Sequence, residues 1–150
     1  MKGLLRYTVA MSLFCCQFST TALTYNTWYK NEGVMTDATQ TDEGRPVLIS
    51  LAYKKTPGAH LVVAYNEAGQ CQDMSDTGPF VINQQVTKAT IKCYQLDNKI
   101  RSLSYLVNDI RHVDYLDNQL SAGFTVVLQN NIRVWVENYN HPLPGFLPLV

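Results

Sequence analysis

Pro46-Val47-Leu48-Ile49-Ser50-Leu51-Ala52-Tyr53 runs into Lys54-Lys55-Thr56-Pro57-Gly58, and then into His60-Leu61-Val62-Val63-Ala64-Tyr65. In the first run Val47, Ile49, Leu51 and Tyr53 alternate with Leu48, Ser50, Ala52 and Lys54. A period of two places one set on each face of a pleated strand. Pro-Gly marks a turn, because Pro fixes its own φ and Gly adopts conformations closed to other residues. Residues 61–65 continue as a second strand that stops at Asn66-Glu67-Ala68-Gly69. The stretch predicts an antiparallel hairpin and sets the class as mainly β.

The pattern repeats downstream. Residues 80–82 predict a strand, 83–85 a tight turn, 86–96 a strand and 100–107 another. Within the longest run Ala89, Ile91 and Cys93 share one face, while Thr90, Lys92 and Tyr94 share the other. Residues 124–129 and 132–138 flank Asn130-Asn131, a pair that suits a type I′ hairpin because Asn tolerates positive φ. One helix is expected over roughly 109–122. Asn108 or Asp109 would cap it, Ile110, Val113, Leu116 and Leu120 fall at helical spacing, and Gly123 would end it.

Upstream, residues 25–29 predict a short strand or docking segment, followed by a polar loop through residue 45. The tail, residues 141–150, is Pro-rich and reads as an extended arm, since Pro cannot serve in a central strand. The sum is about seven strands and one short helix. That is a small β-sandwich or a partly open β-barrel.

The N-terminus has a different grammar. Lys2 and Arg6 precede a mostly apolar run to Cys16, and polar and small residues then lead to Ala22. This order is that of a signal peptide over residues 1–22, with cleavage expected after Ala22. An anchored N-terminus is the alternative. The apolar run is about ten residues, short of the roughly 20 that span a bilayer. Cleavage would leave a single exported domain, residues 23–150, with no transmembrane span.

The whole chain of 150 residues has 12 Lys+Arg and 12 Asp+Glu. Losing the leader removes two bases and no acid, leaving a net charge of −2 on the mature domain. No excess of positive charge exists to neutralise phosphates, which argues against a nucleic-acid partner. Of four cysteines only Cys71 and Cys93 remain. In an oxidising compartment, periplasmic or extracellular, they are expected to form one disulfide.

Catalytic motifs are missing. The sequence has no G-x-S-x-G elbow, no glycine-rich phosphate loop and no His or Cys pair at metal-ligand spacing. It therefore calls for no cofactor and no metal. His60 and His141 stand alone. The one local cluster is Asp109, His112, Asp114 and Asp117, in which Asp109 and His112 fall at i and i+3. A carboxylate–imidazole pair can orient a general base, but a capped polar helix face with a solvated His is the stronger reading. Tyrosine is abundant, with nine in the chain. Tyr25, Trp28 and Tyr29 gather near the mature N-terminus, where aromatics serve as partner-binding contacts. Trp28 also suits an anchor on the core.

These features predict an exported, non-enzymatic binding or accessory protein that presents a disulfide-stabilised β scaffold to a protein partner. The alternatives are a small-ligand carrier using a barrel interior, an inhibitor of an exported hydrolase, and a small secreted enzyme or toxin using His112.

Overall fold

A computed structural model describes residues 23–72 and 74–148, so the expected leader over 1–22 lies outside the described residues. Ten strands form one sheet: β1 (Tyr29–Asn31), β2 (Val34–Gln40), β3 (Pro46–Ala52), β4 (His60–Ala68), β5 (Thr77–Ile82), β6 (Gln85–Gln95), β7 (Ile100–Val107), β8 (Val126–Leu128), β9 (Ile132–Val134) and β10 (Leu143–Pro144). Among the described residues the single helix, α1 (Ile110–Ser121), lies between β7 and β8. The strand order is β10-β1-β2-β3-β4-β7-β6-β5-β8-β9. Only the short β1–β10 pair is parallel.

The sheet curls into an open half-barrel. Its β9 end returns to β2, where Thr41 bridges Ile132 and the Thr39 hydroxyl donates to the Arg133 carbonyl at 2.7 Å. The class is the expected one, mainly β with one helix, and the curl makes it a partly open barrel.

The hairpin that sets the class forms, but β3 ends at Ala52, and Tyr53, at φ 51, turns outward instead of extending the inward set. Ala52 pairs with His60, and Val47, Ile49, Leu51, Leu61 and Val63 all point into the core. Burying such aliphatic side chains stabilises by about 1.5–3 kcal/mol each. Trp28, Phe80, Leu103, Val126 and Ile132 fill the same interior from other segments. Helix α1 packs on β4 and β8 and turns Val113, Leu116 and Leu120 inward. Asp109 caps it by accepting the Arg111 N–H, and Gly123 ends it at φ +89.

The strand count is ten rather than about seven. The largest addition is β2, which occupies a stretch whose polar residues predicted a loop. Its inward positions are Met35, Asp37 and Thr39, two of them polar, so apolar alternation is absent although the strand is buried. β1 and β10 are three and two residues long, too short for any periodicity. Pro144 in β10 is tolerated because that strand is an edge. The Asn-Asn turn also shifts by one residue. Gln129 and Asn130, at φ 51 and 64, are its central pair. Strand β9 ends at Val134 rather than near 138, because the Trp135 carbonyl turns away to accept the Trp28 indole N–H at 3.0 Å.

Candidate functional site

The expected aromatic group at the mature N-terminus divides. Trp28 is wholly buried, so it serves the core and offers nothing to a partner. Its ring meets Tyr139 edge-on at 4.9 Å. Its backbone N–H donates to the Asn138 side chain at 2.7 Å, and the Asn138 amide returns a bond to the Trp28 carbonyl at 2.9 Å. Tyr25 and Tyr29 remain partly exposed, Tyr29 on β1 and Tyr25 in the segment before it.

The disulfide forms between Cys71 and Cys93, with Cα atoms 5.6 Å apart. It ties the loop after β4 to β6 and is half-buried. The cysteines carry no chemistry beyond that tie.

The Asp109–His112 pair is brought together, with Asp109 Oδ2 3.1 Å from His112 Nδ1. That approach lacks hydrogen-bonding geometry, since Nδ1 has no hydrogen-bond partner. Arg111 holds the same carboxylate through Nη2 at 3.0 Å and Nε at 3.2 Å. These bonds, with the cap to the Arg111 N–H, pull the Asp109 pKa down to about 2. A carboxylate so engaged orients an arginine and a helix start. Among the described residues no group of three His, Cys, Asp or Glu is placed to hold a metal. His60 bonds the Gly58 carbonyl at 3.0 Å, and His141 lies exposed in the tail.

The expected polar helix face is only partly solvated. Asp117 points inward at 1% exposure. It accepts the Tyr139 hydroxyl at 2.6 Å and lies 2.8 Å from Lys54 Nζ. Burial opposes its charge. The Lys54 and Tyr139 hydrogen bonds and the charges of Lys54 and Lys55 outweigh that penalty and hold its pKa below the ordinary value. Burial first, and the bond to Asp117 second, push the Tyr139 phenol up. The cluster is a lock between helix, hairpin turn and tail.

The outside of the sheet carries an apolar depression over β3 and β4. There Leu48, Ser50, Val62 and Ala64 point away from the core. Two clefts of about 300 Å³ each meet on this face and share Leu48 and Ala64. Leu23 closes one end, and Phe146 with Leu147 from the C-terminal arm walls the other. Small outward side chains (Ser50, Ala64, Ser102) make the depth, and apolar walls surround it. Phe146 is 69% exposed and Leu48 37%. Residues near both ends of the described chain thus border one apolar trough. Sequence reading missed it because the alternation that marks β3 also hides Leu48 as an ordinary outward residue.

Among the described residues no helix is long and apolar enough to cross a membrane. Comparison with protein-family models, with curated proteins and with solved structures found no match to this chain.

Proposed function

We propose that the protein is an exported, non-enzymatic binding protein that engages a protein partner through the outer trough. The observation that carries this reading is the trough itself, an exposed apolar strip bordered by Leu23 at one end and Phe146 at the other. Contiguous exposed apolar surface on a soluble domain marks interaction sites, and anchor side chains that fill such depressions dominate binding energy. The partner presents apolar side chains to it. The leader order over residues 1–22 supports export, and the Cys71–Cys93 bridge is the kind of bond that persists in oxidising compartments.

Side chains rather than a cavity fill the interior of the half-barrel, so a ligand carrier working from inside has little support. Inhibition of an exported hydrolase is a narrower form of the same reading, and a lysozyme activity assay with the purified protein tests it.

Quantitative capture from extracts of the compartment into which the protein is exported tests the proposal. Wild type is expected to retain a discrete partner that Leu48→Asp and Phe146→Asp each lose. Equal capture by all three proteins would rule out the trough.

A further inference from the structure

We propose that a second, polar cleft, at the closure between β2 and β9, binds one ring of a neutral saccharide. This site is separate from the apolar trough and does not depend on it. Its volume is about 190 Å³, below the roughly 300–1,000 Å³ that holds drug-sized ligands. Tyr25, Asn26, Gln40, Asp42, Arg133 and Trp135 line it.

Three features converge there. First, it has aromatic walls. Trp135 is 40% exposed, and Tyr25 is half-buried in the segment held to β2. The flat apolar faces of a pyranose pack on such rings while its edges stay polar, and Trp and Tyr are suited to surfaces apolar at one end and wet at the other.

Second, the charge in the cleft is balanced. Arg133 Nε lies 3.3 Å from Asp42 Oδ1, and both side chains are about half exposed. A charged ligand of either sign would meet the like-charged member of this pair. A neutral ligand whose hydroxyls both donate and accept matches carboxylate and guanidinium together.

Third, Asn26 Oδ1 is buried and has no hydrogen-bond partner. Buried polar atoms in folded proteins nearly always have one, and an orphan calls for an explanation. Asn26 also sits at φ 58, fixed by its N–H bond to the Ala38 carbonyl at 2.7 Å. Asn26 lines the cleft, and turning its amide outward would let this oxygen accept a ligand hydroxyl.

The chain supplies its own probe. It has two tryptophans, and only Trp135 is exposed, because Trp28 is wholly buried. The purified protein is titrated with maltotriose, cellotriose and triacetylchitotriose, followed by tryptophan emission and by calorimetry. At least one sugar is expected to saturate with a Kd on the order of 1 mM or tighter. Asn26→Gly keeps the left-handed backbone and removes the side chain with its amide. It is expected to weaken that binding about tenfold, and Trp135→Ala at least as much. Trp135→Ala leaves intact the backbone carbonyl that Trp28 uses. No saturable response to any of the three sugars up to about 10 mM would overturn the proposal. So would binding by either variant as tight as wild type.

Discussion

The hydroxyl of Tyr139 donates to Asp117 Oδ1 at 2.6 Å, and this bond fastens the C-terminal segment to the helix. Lys54, from the turn after β3, reaches the same oxygen at 2.8 Å. Three segments distant in sequence therefore meet on one buried carboxylate. Tyr139→Phe removes a charge-assisted hydrogen bond and keeps the ring against Trp28. It is expected to cost about 1.5–3 kcal/mol in urea unfolding at neutral pH. Because the Asp117 pKa is lowered from 3.8, its contribution is complete above that value and fades as pH falls below it. The Tyr139→Phe penalty is expected to shrink in acid.

Asp37 works in the opposite direction. It is wholly buried on β2, accepts the Thr27 N–H at 2.9 Å through one oxygen and has no partner for the other. Burial raises its pKa from 3.8 to about 7, against the lowering effect of the Thr27 and Ala38 N–H groups. Between those values the folded protein binds the proton that the unfolded chain releases. Stability contributed by this group is thus full below about pH 4 and declines until about pH 7. Asp37→Asn keeps the acceptor and removes the titration. The variant is expected to melt higher than wild type at pH 8 and to match it near pH 4. A thermal series across that range checks the crossover.

Asp37 also explains why one strand escaped sequence reading. Alternation was legible over Pro46–Ala52, where the inward residues Val47, Ile49 and Leu51 are aliphatic. It failed over Val34–Gln40, because Asp37 and Thr39 face inward and bond to the segment before β1 and to β9. Those partners come from elsewhere in the chain, so no local pattern announces them. Asp117 was misread for the same reason, since its partners Lys54 and Tyr139 lie 63 and 22 positions away. The Cys71–Cys93 bridge was legible because only one pairing of two cysteines exists. Trp135 and Arg133 drew no attention, being two outward residues on a short hairpin that meet Tyr25 and Asp42 only when the sheet curls back on itself.

The proposed export makes a covalent prediction. The protein isolated from its compartment is expected to begin at Leu23 and to contain two cysteines that resist alkylation until reduced. Intact mass before and after reduction reads both points. Reduction, or Cys71→Ser with Cys93→Ser, is expected to destabilise by about 3 kcal/mol, since the bridge closes a loop of 22 residues.

The most direct test of the binding proposal is site-specific photo-crosslinking from position 48, at the centre of the outer trough, in the cell that makes the protein. The expected result is one discrete adduct with a second protein, lost when Phe146→Asp is added and unchanged by His112→Ala. An absence of any adduct, or an adduct indifferent to Phe146→Asp, would contradict the account.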